Sequence, residues 1–423
     1  MIKNQTVTRS KRLLLLVSPT TYRAEAFMTA ARSLDVEIVR GIDIPDGLRE
    51  TWDVPLALDF TNSETALRHL VDYCRAQPVD AIVALDDNAT LLATRAAAAL
   101  GLPHNPLEAA EAARDKGLMR ERFAAYGVPS PVFRRVPLAS DPQEIAGQVR
   151  YPCVVKPLRL NGSKGVIRAD DPPTFIAAFT RLRRILVGDG YPLDRTEILV
   201  EDYLPGGEVA LEGLLTDGQL HVLALFDKPD PLEGPFFEET IYVTPSRLPA
   251  DVQDAIADCA ARAAAALGLR EGPLHAELRV NERGPWMLEI AGRSIGGLCS
   301  SVLEFGTGMC LEELILRHAL GFAIPSFDRA GAAAGVMMIP IPKTGMLREV
   351  GGIEEAQEVP HIEGVEITAR LRAPILALPE GNSYLGFIFA RAETPQAAEA
   401  ALREAHDRLS FRIEPTISLV SVS

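Results

Sequence analysis

The stretch that decides the fold is His275-Ala276-Glu277-Leu278-Arg279-Val280-Asn281-Glu282-Arg283-Gly284-Pro285-Trp286-Met287-Leu288-Glu289-Ile290. Apolar residues at Leu278 and Val280, then at Met287, Leu288 and Ile290, flank a polar centre and read as strand, tight turn, strand. With the turn centred near Glu282 and Arg283, Glu277 and Glu289 face each other across the hairpin. Directly opposed residues on one face have Cβ atoms roughly 4.5–5.5 Å apart. Two carboxylates that close repel unless a cation lies between them. Mg²⁺ takes only one or two carboxylates and completes its octahedron with phosphate oxygens and water. The hairpin is therefore a candidate platform for metal-bound ATP. The competing reading is a surface hairpin carrying two solvated acids.

Four residues beyond Glu289 stands Arg293, within Ala291-Gly292-Arg293-Ser294-Ile295-Gly296-Gly297. If the strand continues, period two puts Glu289, Ala291 and Arg293 on one face. A guanidinium there suits a transferring phosphoryl group or a tetrahedral oxyanion; a plain Arg–Glu ion pair is the alternative. His275 is a candidate base, or a satisfied structural histidine.

Upstream, Tyr151-Pro152-Cys153-Val154-Val155-Lys156-Pro157 is a strand ending in a lysine, followed by the turn Asn161-Gly162-Ser163-Lys164-Gly165-Val166. Glycines let backbone N–H groups approach phosphates, and lysines supply point charge. The pattern is not G-x-x-x-x-G-K-[ST], and glycine-flanked turns also arise for purely backbone reasons. Glu201-Asp202-Tyr203-Leu204 passes from acidic to apolar at a strand end before Pro205-Gly206-Gly207. Its backbone suits an adenine edge, with Tyr203 and Leu204 beside the ring, or it is an ordinary strand exit. Glu208 then suits ribose hydroxyls, or lies exposed. Phe236, Phe237 and Met309 are apolar candidates for a substrate pocket, though core packing explains each as well.

The chain has 423 residues, which at roughly 150 per domain suggests about three domains. It is 47% hydrophobic and 24% charged, ordinary for a globular protein with real cores. The net charge of −14 argues against a nucleic-acid surface, while local lysines and arginines still allow a phosphate ligand. Five widely spaced cysteines without C-x-x-C point to free thiols in a reducing compartment. Leu13–Val17 is too short for a signal-peptide core or a membrane span and reads as a buried strand. The expectation is a cytoplasmic protein without membrane contact.

Along residues 1–110, strands Leu13–Val17, Val36–Arg40 and Ala81–Leu85 alternate with helices Ala24–Ser33, 63–76 and Ala89–Leu100, as in a parallel doubly wound sheet. No G-x-G-x-x-G follows the first strand. Asp86-Asp87 lies just past a strand end, where such sheets bind ligands, or caps the next helix. Residues 111–325 hold a charged helix over 112–126, an antiparallel strand-rich block, an Ala-rich helix at 251–268 and the glutamate hairpin. Residues 326–423 read as a separate α+β lobe, with strands Gly335–Ile341 and Ser383–Ala390 and a helix over 395–409 capped by Thr394.

Taken in order, Lys116, Lys156, the Gly-Ser-Lys-Gly turn, Glu201 to Leu204, Glu277, Glu289 and Arg293 resemble the ATP-grasp superfamily over about residues 1–325. His275-Ala276-Glu277, the segment from Glu289 to Gly297, Phe226-Asp227-Lys228-Pro229 and Phe236-Phe237-Glu238-Glu239-Thr240 are most similar to its L-amino acid ligases. The resemblance implies an ATP-grasp fold behind an N-terminal α/β domain, with a lid subdomain at about 150–205. It implies that Lys116 and Lys156 meet phosphates, that Gly162, Ser163, Lys164, Gly165 and Val166 form a phosphate lid, and that Glu201, Asp202, Tyr203 and Leu204 hold adenine with Glu208 at the ribose. Glu277 and Glu289 would bind Mg²⁺, with Mn²⁺ as an alternative. His275, Glu239, Arg293, Gly296 and Gly297 would face substrate, and Arg293, Glu289 and Lys156 would carry catalysis. Many family members have Asn two residues after the second metal Glu; Ala291 stands there, a departure the amino acid ligases often share. The implied reaction joins a small carboxylate to an amine through an acyl phosphate, in a homodimer. Rival readings are a biotin-carboxylase-like or purine-pathway enzyme, and a non-catalytic ATP-binding regulator.

Overall fold

The computed structural model describes residues 10–415, apart from 20, 49–50 and 52–53. The N-terminal part is a four-stranded parallel sheet in the order Leu56–Ala57, Glu37–Ile42, Arg12–Val17, Ala81–Ala84. Leu13 to Leu16 are all fully buried because the sheet is covered on both faces. Leu13 and Leu15 join one core while Leu14 and Leu16 join another, as period two requires. The helices are Ala24–Ser33, Ser63–Ala76 and Asp87–Leu100. The strand order reverses between Arg12–Val17 and Ala81–Ala84, so the carboxyl ends of these two strands form the crevice where open α/β sheets take ligands.

The expected helix over 112–126 is two helices, Leu107–Arg114 and Lys116–Tyr126. Asp115 breaks them with extended backbone, and its carboxylate accepts from the N–H groups of Gly117 and Leu118. Next comes an antiparallel four-stranded sheet in the order Phe133–Pro137, Glu197–Asp202, Cys153–Pro157, Ile167–Ala169. Helix Pro172–Gly188 covers one face through Phe175, Phe179 and Leu182. Asp171 and Thr174 close a capping box at its start.

The largest sheet has eight antiparallel strands in the order Gly284–Ala291, Gly272–Asn281, Gly207–Thr216, Gln219–Lys228, Ile241–Thr244, Ala333–Ile339, Gly386–Ala392, Ile362–Ile367. The C-terminal lobe is thus not a separate sheet: three of its strands extend the one that carries the glutamate hairpin. Helix Ala250–Leu267 packs its alanine face on the hairpin end, and helix Pro395–Arg408 covers the other end, capped by Thr394. All five cysteines are free, four of them buried. Among the described residues no helix is long and apolar enough to cross a membrane.

Candidate functional site

A cleft lies between the four-stranded and eight-stranded sheets. Lys116, Lys156, Gly162, Ser163, Val166, Glu201, Asp202, Tyr203, Leu204, Glu208, Glu239, His275, Glu277, Glu289 and Arg293 all line it. Residues scattered over more than 170 positions of sequence are therefore one surface. Six expected residues are not on it, Phe236 among them. Lys164 turns away to pair with Asp189 at 2.6 Å. Gly165 is buried beneath the turn and donates its N–H to the Pro379 carbonyl. Gly296 and Gly297 lie off the wall, and a side chain at Gly297 would strike the Phe387 ring. Met309 belongs to the core below.

Glu277 and Glu289 are paired across the hairpin, with the turn at Glu282 and Arg283. Each carboxylate has a cation beside it. Lys116 Nζ donates to Glu289 at 3.0 Å and to the Leu160 carbonyl at 3.0 Å. Lys228 Nζ lies 3.5 Å from Glu277, 2.8 Å from Glu208, and in contact with Glu239. Burial opposes the charge on Lys228, but those three carboxylates hold the ammonium protonated well above the usual lysine range. Burial raises the Glu277 carboxyl, yet Lys228 and His275 outweigh it and keep the group ionised. Glu239 has the opposite balance: burial and the Glu277 charge push it up to about 7. Ligand oxygens of Glu208, Glu239 and Glu277 lie within 4.8 Å of one another. The Lys228 ammonium already sits among these three, so the cluster is balanced by a side-chain cation. Glu277 and Glu289, paired across the hairpin and both lining the cleft, supply the two carboxylates that Mg²⁺ or Mn²⁺ takes, so the residues present fit such an ion.

His275 is not free to act as a base. Its Nδ1 lies 2.8 Å from Glu212 and its Nε2 3.5 Å from Glu277. Burial presses its pKa down, but the bonds to the two carboxylates push it up to about 9, so it stands protonated at neutral pH. Both ring nitrogens thus face carboxylates, the arrangement of a histidine that orients its neighbours.

The lysines and the adenine segment carry further corrections. Lys156 Nζ sits 2.6 Å from Glu201, and Arg120 Nε approaches the other Glu201 oxygen to 2.6 Å. The Glu201 side chain is thus a buried counter-ion, and only its backbone can serve an adenine. Asp202 N–H donates to Val132 and Tyr203 N–H to Pro152, while the Leu204 carbonyl accepts from Arg279. Leu204 N–H has no partner among the described residues, which leaves one backbone donor at the edge where a base would lie. Glu208 is paired on both oxygens, to Lys228 and to Arg279 Nε at 3.1 Å. Phe237 stacks with Tyr203, ring centroids 6.5 Å apart.

Several site residues escape the sequence reading. Arg279 shares a face with His275 and Glu277 by period two, and that spacing was the available signal. Asp87 is another. Asp86 occupies the N-cap position without a side-chain capping bond, while Asp87 accepts from Arg293 Nε at 2.8 Å and from Asn161 Nδ2 at 2.8 Å. The capping alternative for the pair thus gives way to a contact with the site. Lys228, quoted above only as part of Phe226–Pro229, and Arg120 are brought behind the wall by tertiary packing, which sets their ion pairs with Glu208, Glu239 and Glu201.

The turn Asn161–Val166 is docked on the C-terminal lobe. Gly162 and Gly165 have φ of +60° and +74°. A Cβ on Gly162 would press on Asn382, and one on Gly165 would meet Leu182 at 2.7 Å, so both positions demand glycine. Arg181, on the helix behind the turn, makes a two-pronged bond to Glu380, each contact 2.8 Å.

Comparison with known proteins gives three domain matches: an ATP-grasp N-terminal domain over 30–104, an ATP-grasp domain over 149–302, and L-amino acid ligase C-terminal domain 2 over 337–414. The alanine–anticapsin ligase of Bacillus subtilis (strain 168) is 28% identical over 269 residues, 60% of this chain and 56% of that protein. The dapdiamide A synthase of Enterobacter agglomerans is 29% identical over 248 residues, 57% of this chain and 56% of that protein. The chain thus matches little more than half the length of these relatives. The crystal structure of an L-amino acid ligase from Bacillus licheniformis superposes with a TM-score of 0.78 at 26% identity, covering 96% of this chain and 99% of that one.

Proposed function

This chain belongs to the ATP-grasp ligases, and from that premise we propose that it joins the carboxylate of one small molecule to the amine of another, at least one of them an amino acid. The observation that carries the reading is the wall of one cleft: two glutamates paired across a hairpin, with Arg293 farther along on the same side and a glycine turn overhead. The match of the C-terminal segment to an amino acid ligase domain supports this branch over the carboxylase and purine-pathway readings.

On this reading Lys116 and Lys156 orient the phosphates, exchanging a carboxylate partner for a phosphoryl oxygen. Glu277 and Glu289 hold the Mg²⁺ ion, which when bound supplies charge neutralisation at the transferring phosphoryl group. The substrate carboxylate oxygen attacks the terminal phosphorus of ATP, ADP leaves, and an acyl phosphate forms. The amine nitrogen then attacks the acyl carbon and inorganic phosphate departs, leaving the amide. Arg293 stabilises the tetrahedral oxyanion between those events. The glycine turn excludes water, which would otherwise take the place of the amine. His275 holds its proton and positions Glu277. The partners are small molecules, the assembly a homodimer and the setting the cytoplasm.

Pairwise addition of amino acids to the protein with ATP and Mg²⁺ tests the reading. Phosphate release that needs both amino acids, with the amide seen by mass spectrometry, is the expected result. Release independent of amino acids, or dependent on bicarbonate, would overturn it.

A further inference from the structure

Asp87 sits where three parts of the molecule meet. It is the first residue of helix Asp87–Leu100 and follows strand Ala81–Ala84, at the strand-order reversal of the N-terminal sheet. One of its oxygens, Oδ2, accepts from two donors of different origin. Arg293 Nε belongs to the eight-stranded-sheet side of the cleft, and Asn161 Nδ2 belongs to the glycine turn. The Asp87 and Arg293 side chains are 15% and 14% exposed, whereas Asn161 lies at the surface. Burial raises the Asp87 carboxyl, but Arg293 overrides this and holds it below the usual range, with Lys116 and Arg114 acting in the same direction.

We propose that Asp87 is a positioning residue that ties closure of the Asn161–Val166 turn to the orientation of Arg293. The inference rests on the ligase reading given above. A carboxylate held by Arg293 alone can rotate about that one contact. With Asn161 on the same oxygen it is held from two sides, and the guanidinium is fixed with it. The second Arg293 contact, Nη1 to the Ser294 carbonyl at 3.0 Å, comes from its own neighbour and carries no information about the turn. Asp87 therefore makes the arginine well placed when the turn is shut and less constrained when it is open. An acyl phosphate formed under an open turn meets water, giving back the carboxylate and phosphate. A link of this kind confines the reaction to the shut state.

The rival explanation is a staple, in which the Asp87–Arg293 pair only fastens the N-terminal sheet to the body. The two differ in the ratio of phosphate released to amide formed, which a staple does not affect. In the wild type this ratio should be near one. In Asp87→Ala, and equally in Asn161→Ala, phosphate should exceed amide by about 5-fold or more, the lower end of ordinary coupling between sites. Asp87→Asn keeps one oxygen that can accept from both Arg293 and Asn161, so its ratio should stay nearer one than that of Asp87→Ala. A second measurement needs no reaction: trypsin should cut after Lys164 faster in Asp87→Ala than in wild type. Lower activity with an unchanged ratio and unchanged cleavage would overturn the proposal. Should Asp87→Ala fail to fold, the surface change Asn161→Ala carries both readouts alone. A wild type that forms no amide removes the ligase reading instead, and the cleavage rates then decide whether Asp87 holds the turn.

Discussion

Glu277 and Glu289 stand opposite each other because Leu288 is left out of the ladder between them. From the turn, Asn281 pairs with Gly284, Val280 with Pro285, Arg279 with Trp286 and Leu278 with Met287. The next regular pair would be Glu277 with Leu288, but the register shifts there and Glu277 meets Glu289. A β-bulge of this kind sets two residues against one. Leu288 and Glu289 both face the cleft, while Met287 and Ile290 on either side stay in the core. The Leu288 carbonyl is taken by Arg120 Nη2 at 2.7 Å.

If that pair holds the metal, Glu289→Gln keeps the shape of the wall and removes one charge. Turnover at saturating ATP should fall at least ~100-fold, as when a main electrostatic stabiliser is lost. Steady-state phosphate release with amino acids present measures it, and near-normal activity would remove Glu289 from the metal site.

Arg293→Ala should act on chemistry more than on nucleotide binding. We expect turnover to drop about 100-fold with ATP affinity changed far less. Calorimetry for ATP beside kinetics for turnover separates the two, and equal losses would make Arg293 a binding residue only.

Arg120 is fully buried, with Glu201 as its counter-ion and the bulge carbonyl as its acceptor. Arg120→Met should lower folding stability by about 3 kcal/mol, the scale for breaking a buried pair from one side. The midpoint of urea unfolding reads this directly, and a change below about 1 kcal/mol would show that the pair is replaceable.

Glu201, held between Arg120 and Lys156, contributes to the loss of stability in acid. Burial raises the Glu201 carboxyl, but Arg120 and Lys156 together hold it below its ordinary 4.5. On acidification the unfolded chain takes up this proton first. The stabilisation is complete above 4.5 and is lost as pH falls through the lower, folded value. Melting temperature followed from pH 6 downward should bend near that point, and Glu201→Gln should flatten the bend. An identical acid profile in the variant would assign the loss to other groups.

Glu380→Gln loosens the dock between the glycine turn and the C-terminal lobe. The Arg181–Glu380 pair is partly solvated, so global stability should change by no more than about 1 kcal/mol. Locally, hydrogen exchange of the Gly165 amide, which bonds to Pro379, should quicken about 5-fold, the equivalent of roughly 1 kcal/mol. Exchange as slow as in the wild type would show that the turn holds itself.

What could be read in the chain was what depends on near neighbours. The leucines of the first strand, helix 63–76 and the Asp217-Gly218 hairpin follow from period and turn chemistry; φ is positive at both turn residues. The glutamate pairing came out right through a bulge that simple alternation does not foresee. Lys228 and Arg120 are buried behind the cleft wall through packing of distant strands and helices, and their ion pairs with wall glutamates leave no mark in the local sequence. Asp87 looks locally like a helix cap, and only its distance to Arg293 and Asn161 shows otherwise. The lobe expected to stand apart is joined edge to edge with the central sheet, since strand pairing beyond a hairpin leaves no local trace.

That shared sheet has an effect on how the protein can be made. Its first five strands, both cleft glutamates among them, leave the ribosome before Ala333–Ile339, the strand that must lie against Ile241–Thr244. Until then Ile241, Tyr242 and Val243, all buried in the finished sheet, form an open hydrophobic edge. Nascent chains at this stage can pair with one another as readily as with their own remainder. A polypeptide halted before Ala333 would keep that edge open, the feature that favours association between chains.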